Sequence, residues 1–176
     1  MRIIGNGFFV ELYDVMKLQK SKLILTIISG ILLSVAVGFL SSKVTQPVII
    51  SWYAGLTKPF FSPPNCLFAP VWTLLYVLMG WASGRVWYFG WRHLWGKTAL
   101  YHFGAQLIFN GLWSLVFFGL KNPLVGLLVI IVLLILIERT IKWFRIVDKL
   151  SSYMLYPYLI WVCFATLLNG AILYIN

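Results

Sequence analysis

The sequence predicts an all-α integral membrane protein, folded as a bundle of five transmembrane helices. Hydrophobic residues make up 61% of the 176 residues and charged residues only 10%, whereas about a quarter of a soluble domain is charged. The apolar residues also form continuous runs, without the alternation that marks a membrane β-barrel. The length fits one membrane domain.

Five apolar stretches are candidates to cross the bilayer. They are Leu23–Leu40, Val71–Trp91, Ala99–Leu120, Leu124–Ile137 and Leu155–Ile175. A span needs about 20 apolar residues, and the fourth stretch is short. It is long enough if its helix continues to Phe144, with Arg139 and Lys142 extending to the lipid headgroups.

An N-terminal tail, residues 1–21, precedes the membrane domain, residues 22–176. Within the tail, residues 8–19 predict a short amphipathic helix lying on the inner membrane surface. Its apolar stripe holds Phe8, Phe9, Leu12, Val15 and Met16 together with Gln19, and its opposite face holds Glu11, Asp14 and Lys17. The tail has no leading basic region and no small-residue cleavage site, so no signal peptide is predicted.

The net charge of +10 is explained by basic residues at the helix ends. Eleven Lys and Arg residues fall on one face of the predicted bundle, and three (Lys43, Lys58 and Lys121) on the other. The positive-inside rule then places the N-terminus in the cytoplasm, and the first loop and the C-terminus outside. The expected partner of the basic face is the lipid bilayer, through its anionic headgroups, and not nucleic acid.

The first loop and its edges, residues 52–72, have an unusual composition. They contain four prolines, six aromatic residues and Cys66, with very little charge, whereas an ordinary connection is short and polar. Prolines fix the backbone and aromatic rings favour burial. We therefore expect a lid that folds back over the bundle, held in shape by Pro59, Pro63 and Pro64.

Three sequence blocks carry a family resemblance. The run from Trp52 has the form WYxxLxKPxxxPPxxxFxPVWxxLY, the run from Gln106 reads QLIFNGLWSLVFF, and the run from Pro157 reads PYLIWVCFATLLN. Together they cover most of residues 51–170, and they resemble the translocator protein family (TspO/MBR), also called tryptophan-rich sensory proteins or peripheral-type benzodiazepine receptors. The resemblance implies five transmembrane helices, a homodimer, and binding of porphyrins, haem-pathway intermediates or benzodiazepine-type ligands under the first loop.

Three predicted helices each present a face of aromatic and polar side chains at helical spacing. The second helix presents Trp72, Tyr76, Met79 and Ser83, the third Gln106, Asn110, Trp113, Ser114 and Phe117, and the fifth Tyr158, Trp161, Ala165 and Asn169. Facing one another, they would line an apolar cavity with a few hydrogen-bonding groups. The alternative is ordinary helix packing, since small and amide residues also join membrane helices. The glycines of GWASG, Gly80 and Gly84, predict such close packing or a dimer face.

Position within the matching blocks selects the candidate ligand-binding residues. They are Trp52, Tyr53, Trp72, Tyr76, Asn110, Trp113, Trp161, Ala165 and Asn169. The indoles of Trp72, Trp113 and Trp161 are interpreted as stacking walls. Asn110 and Asn169 are interpreted as the hydrogen-bonding floor, and Ala165 is small enough to keep the space open.

The predicted spans contain little that suggests catalysis. They hold no Asp or Glu and no central His, and Ser83 and Ser114 have no nearby base to activate them. We therefore name no catalytic residue and no required cofactor. His93 and His102 have no spacing typical of a metal site, and the two cysteines lie at different predicted depths, so no disulfide is expected.

Two other functions stay open. In the first, the tryptophans exchange electrons with a bound, light-excited porphyrin and degrade it, so the protein is an enzyme. In the second, the ligand moves across the membrane, so the protein is a transporter. Many family members carry a carboxylate in the fourth helix, whereas this chain has only Val, Leu, Ile and Gly between Leu124 and Ile137. The family's cholesterol pattern is also incomplete, because only two residues follow Tyr174.

Overall fold

Helices account for nearly all of the structure, a computed structural model that describes the backbone of residues 4–176 and the side chains of residues 15–176. The α-helices are α1 (Ile4–Val48), α2 (Phe68–Gly90), α3 (Leu94–Ser114), α4 (Pro123–Val147), α5 (Lys149–Tyr153) and α6 (Tyr156–Ile175). Short helical turns add Ile49–Tyr53 after α1, Asn65–Leu67 before α2 and Leu115–Gly119 after α3. No strand occurs in these residues, so the predicted all-α class is confirmed.

The start of α4 follows directly from its sequence. Pro123 occupies the first turn, where its missing N–H removes no helical hydrogen bond. The side chain of Asn122 caps the helix by accepting a hydrogen bond of 3.1 Å from the Val125 N–H. The helix then runs to Val147, so the expectation that it continues through Phe144 is confirmed.

Four helical segments are long and apolar enough to cross a membrane. They are Val15–Tyr53, Asn65–Gly90, Pro123–Val147 and Lys149–Ile175. The predicted third span forms α3 but is not among them, so the count of five is not confirmed. Polar residues in α3, including Gln106, Asn110 and Ser114, account for its lower hydropathy, and all three are buried inside the bundle.

The outer surface of the bundle is apolar. Aliphatic side chains on α1, α4 and α6 are more than half exposed, among them Leu25, Leu32, Leu128, Ile160 and Leu167. A continuous apolar surface of this kind is avoided by monomeric proteins in water. Lipid is the solvent that suits it, in agreement with the composition.

Glycines bring α1 and α2 into backbone contact. A Cβ atom added at Gly80 would lie 2.4 Å from the Cα of Ile31, and one added at Gly84 would lie 2.4 Å from the Cα of Ile27. The GWASG sequence is therefore a close-packing motif, as predicted. Its interpretation as a dimer face is wrong, because α1 of the same chain covers it.

An ion pair fastens α2 to the turn between α4 and α5. Arg85 Nε and Nη2 donate to the two carboxylate oxygens of Asp148 at 2.8 and 3.2 Å. The guanidinium carbon lies 5.5 Å from the ring centre of Trp81 and 5.2 Å from that of Phe89. Burial raises the pKa of the Asp148 carboxyl, but hydrogen bonds from Arg85 and Ser151 outweigh it, so this pKa lies below its usual value. Arg85, one of the eleven basic residues that the charge count placed on one face, is thus paired.

The predicted amphipathic helix lies mostly outside the described residues. The side chains of residues 8–14 are not described, while the backbone is helical from Ile4 and continues into the first span. The placement of this segment on the membrane surface stays a prediction.

Cys66 and Cys163 are both exposed and are not joined to each other.

Candidate functional site

Two neighbouring cavities lie at the end of the bundle that carries the first loop. The large cavity, about 250 Å³, lies between α1, α2 and α3. The small cavity, about 20 Å³, lies between α2, α3, α6 and the turn after α1. Since one water needs roughly 10–15 Å³ of such space, the small cavity holds about one water molecule as it stands.

One layer of aromatic rings separates the two cavities. We call it the aromatic partition; it consists of Phe68, Trp72, Trp113 and Phe118, which line both cavities. The ring centres of Trp72 and Trp113 are 6.0 Å apart, and Trp113 meets Phe118 edge to face at 6.0 Å. The two cavities are thus separated by side chains alone along this layer.

The wall that α1 contributes to the large cavity was missed by sequence reasoning. It includes Thr45, whose hydroxyl is hydrogen-bonded to that of Ser114 on α3. It also includes Gly38, which allows close approach of a ring: a Cβ there would lie 2.4 Å from the ring of Tyr76. The signal that could have found this wall is the group of hydroxyl residues from Ser41 to Thr45 in an otherwise apolar helix.

Asn110 lies at the centre of a hydrogen-bond network between three helices. The Tyr76 hydroxyl donates to Asn110 Oδ1, and Asn110 Nδ2 lies 2.8 Å from the Tyr158 hydroxyl oxygen, to which it donates. All three side chains are buried. The network ties α2, α3 and α6 together, and it uses about half of the hydrogen-bonding capacity of the Asn110 amide.

The small cavity is lined by residues with unused polar atoms. Trp113 Nε1, Trp161 Nε1, the Tyr53 hydroxyl and Asn169 Oδ1 are buried and have no hydrogen-bond partner among the described residues. A buried polar atom without a partner costs about 1–3 kcal/mol. Three donors and one acceptor beside one apolar space are therefore suited to an incoming polar group.

Asn169 also has a structural role. Its Nδ2 donates to the carbonyl oxygen of Pro123 at 2.8 Å, which joins α6 to the start of α4. Its Oδ1 would lie 3.2 Å from a Cβ added at Gly126, so the glycine permits the two helices to approach. Only the amide oxygen of Asn169 is left for a ligand.

The first loop is fastened to the end of α6. The side chain of Asn176 forms two hydrogen bonds with the backbone of Thr57, both of 3.0 Å. The ring of Phe61 meets that of Phe164 edge to face at 6.3 Å. The loop backbone is tightened by a turn in which the Ser62 N–H donates to the Pro59 carbonyl at 3.0 Å. The loop thus lies against α6, the helix that supplies Trp161 and Asn169 to the small cavity.

The model of the TspO/MBR family matches residues 30–175 of this sequence. The chain belongs to that family.

Relatives in the TspO/MBR family come from archaea, bacteria and animals. The tryptophan-rich protein TspO of Archaeoglobus fulgidus is 45% identical over 155 residues, which cover 87% of this chain and 98% of that protein. The tryptophan-rich sensory protein of Cereibacter sphaeroides is 39% identical over 126 residues, or 71% of this chain and 77% of its own. The human translocator protein is 35% identical over 139 residues, covering 74% of this chain and 78% of its own. The resemblance inferred from the sequence blocks is confirmed.

The TspO/MBR sequence blocks selected residues that the fold brings together. Trp72, Tyr76, Asn110 and Trp113 line the large cavity, and Tyr53, Trp72, Trp113, Trp161, Ala165 and Asn169 line the small one. Trp52 lines neither; its ring meets that of Phe117 edge to face at 5.8 Å. Phe68 and Phe118 were missed as lining residues, although both stand inside the blocks that carry the resemblance. The ligand-binding roles of these residues stay predictions.

Proposed function

We propose that this protein binds a porphyrin or a related tetrapyrrole inside the membrane, between α2, α3 and α6 and beneath the first loop. The observation that carries the proposal is the small cavity, which is lined by aromatic residues and by four residues that each hold a buried polar atom without a partner among the described residues. Flat conjugated ligands stack on indole rings. Their polar edges would satisfy the donors and the acceptor that the fold leaves unpaired.

The composition of the walls is that of a small-molecule site. Among the residues that line the two cavities none is charged, and nearly all are aromatic, aliphatic, hydroxyl or amide residues. A mostly apolar site with a few oriented polar groups is typical of small-molecule binding. Among the relatives, one bears the name sensory protein and others the name translocator protein, which agrees with a role that begins with ligand recognition.

Binding a tetrapyrrole requires the aromatic partition to move. Sites for drug-sized ligands measure about 300–1,000 Å³, whereas the small cavity measures about 20 Å³ and the large cavity about 250 Å³. Trp72 is half-buried and separates the two spaces. Displacing its indole would merge the two spaces, which together measure about 270 Å³, with the volume that the ring leaves. The ligand would replace the ring contacts that are lost.

A titration of purified protein with protoporphyrin tests this proposal. The porphyrin absorbance band reports binding without depending on which tryptophans remain. The double variant Trp72→Ala plus Trp161→Ala should lower the affinity by at least tenfold, which corresponds to about 1.4 kcal/mol. The matched control, Trp87→Ala plus Trp91→Ala, removes two exposed indoles near the opposite end of α2 and should bind normally. Equal affinity of both double variants would refute the site.

We also propose that α3 is a fifth span. It begins where Gly96 contacts Gly90, beside Val147 at the end of α4. It ends at the opposite end of the bundle, where the hydroxyl groups of Ser114 and Thr45 are hydrogen-bonded to each other. It therefore runs the length of the bundle, as α2 and α4 do, with its polar side chains facing inward.

Five spans place the N-terminus and the C-terminus on opposite sides, and the distribution of basic residues places the N-terminus in the cytoplasm. The contact of Asn176 with Thr57 supports a C-terminus on the side of the first loop. A charged, membrane-impermeant thiol reagent added to intact cells should label Cys66. Labelling of Cys66 only after the cells are opened would contradict this orientation.

A homodimer is proposed on the family resemblance. Because α1 covers the face of Gly80 and Gly84, the interface must use the apolar side chains exposed on other helix faces. Single-molecule photobleaching of the labelled protein in lipid nanodiscs should show two steps. A single step in nearly all particles would show that the protein is a monomer.

The same preparations separate binding from the other two functions. Porphyrin degradation predicts a new absorbing product that requires both light and Trp161. Transport predicts accumulation of porphyrin inside sealed proteoliposomes. Saturable binding with neither product nor accumulation is the result expected of a receptor.

A further inference from the structure

Lys58 is a cation in the first loop that has no acidic partner among the described residues. It is half-buried, and its Nζ lies 4.8 Å from the ring centre of Tyr53, a residue that lines the small cavity. The two acidic side chains that the structure describes, Glu138 and Asp148, are already in ion pairs toward the opposite end of the bundle. The ring of Tyr53 stabilises the ammonium group, but the charge of Lys58 is left without a counter-ion.

The backbone on both sides of Lys58 is held in place. Before it, the backbone of Thr57 forms two hydrogen bonds of 3.0 Å with the side chain of Asn176. After it, the carbonyl oxygen of Pro59 accepts a hydrogen bond of 3.0 Å from the Ser62 N–H. The loop therefore fixes the point from which the side chain of Lys58 extends, while the flexible four-carbon stem lets the ammonium group turn toward a ligand.

The polar atoms that are buried without a partner in and beneath the first loop are mostly hydrogen-bond donors. The indole N–H groups of Trp113 and Trp161 and the hydroxyl of Tyr53 belong to residues that line the small cavity, and the hydroxyl of Ser62 lies in the loop itself. Among these unpaired atoms of the described residues, Asn169 Oδ1 is the one that can only accept. An ionised carboxylate accepts hydrogen bonds and donates none, so it matches this excess of donors.

We propose that Lys58 makes the site selective for tetrapyrroles that carry a free carboxylate on the edge that enters beneath the first loop. This inference rests on the proposed tetrapyrrole function and names the ligand group that the loop recognises. A carboxylate withdrawn from water must be both paired and hydrogen-bonded. Lys58 supplies the opposite charge when its ammonium group turns from the ring of Tyr53, and the buried hydroxyl and indole groups supply the hydrogen bonds.

Titrations with protoporphyrin and with its dimethyl ester test this inference, because the ester keeps the ring system and loses both negative charges. Lys58→Met removes the cation and keeps an unbranched side chain. It should weaken binding of the free acid roughly tenfold or more, as expected for the loss of a hydrogen bond between charged groups, and leave binding of the ester unchanged. Lys58→Arg should keep the affinity for the acid. The matched control, Lys121→Met, removes an exposed cation at the same end of the bundle and should bind both ligands normally.

Each ligand is compared between variants, so unequal partition of acid and ester into detergent does not affect the result. Unchanged binding of the ester also shows that Lys58→Met is folded. An equal loss for acid and ester would show that Lys58 only shapes the loop. An unchanged affinity for the acid, or an equal loss in Lys121→Met, would likewise overturn the inference and leave the tetrapyrrole site in place. Absence of saturable binding of both ligands to the unmodified protein would instead refute the tetrapyrrole proposal, and this inference with it.

Discussion

Replacing Gly80 by alanine should force α1 and α2 apart. The added Cβ would lie 2.4 Å from the Cα of Ile31 and 2.6 Å from the carbonyl oxygen of Gly30. Both are backbone atoms, which cannot rotate away. Ordinary contact begins at 3.4 Å, so the helices must separate by about 1 Å. A gap of that size removes up to roughly half of the dispersion energy of neighbouring contacts.

The loss of unfolding free energy in Gly80→Ala can be compared with the effect of the same substitution at a glycine that has free space around it. Overpacking costs about 1–3 kcal/mol, and the better helix propensity of alanine returns at most about 1 kcal/mol. Gly104, on α3, has no atom within 4 Å of its added Cβ, so Gly104→Ala should be neutral or slightly stabilising. The two variants should therefore differ by about 2 kcal/mol.

Thermal unfolding in a mild detergent, followed by circular dichroism, measures that difference. For a protein of this size, 2 kcal/mol corresponds to a change in Tm of about 4–8 °C. Gly80→Ala should unfold at the lower temperature, and Gly104→Ala at or above the temperature of the unmodified protein. The same Tm for both variants would show that backbone contact between α1 and α2 contributes little to stability.

Three further predictions concern contacts that hold the helices and the loop. Because the pKa of Asp148 is lowered in the folded state, its ion pair stabilises the protein above the unfolded carboxyl pKa and loses its effect as the pH falls through the folded pKa. In chemical denaturation, Arg85→Ala should cost about 2 kcal/mol at neutral pH and progressively less as the pH falls below the ordinary carboxyl pKa. A cost independent of pH would contradict the assignment. Asn110→Leu breaks the network between α2, α3 and α6 and should lower the Tm by at least about 4 °C, whereas an unchanged Tm would show that the network is not stabilising. Asn176→Ala removes both bonds to Thr57 and should speed proteolysis of the first loop severalfold with little change in Tm; an unchanged cleavage rate would show that these bonds do not hold the loop.

The inward faces of three helices could be predicted from spacing alone. Polar and aromatic side chains at intervals of three and four residues identify one helix face, and in lipid the polar face turns toward the bundle. Asn110, Tyr158 and Asn169 were placed inside in this way and are buried. Spacing gives the direction of a side chain but not its partner. The use of Asn110 as a link between Tyr76 and Tyr158 therefore required coordinates.

Contacts between distant parts of the sequence were also beyond prediction. Arg85 and Asp148 are far apart in the chain, and the charge pattern counted the arginine only as one of the basic residues near the membrane edge. The contribution of α1 to the large cavity was missed for a related reason: Ser41 and Thr45 lie between the predicted span Leu23–Leu40 and the first loop, and no role was predicted for them. The size of the small cavity depends on ring orientations that no periodicity specifies.

The ion pair of Arg85 and Asp148 has a consequence for motion. It holds the C-terminal part of α2 to the turn after α4, whereas both cavities lie at the opposite end of the bundle, beneath the first loop. If the interior enlarges to admit the proposed ligand, the helix ends beneath the first loop are the ones left to separate, because the ion pair holds the other end of α2 to the turn after α4.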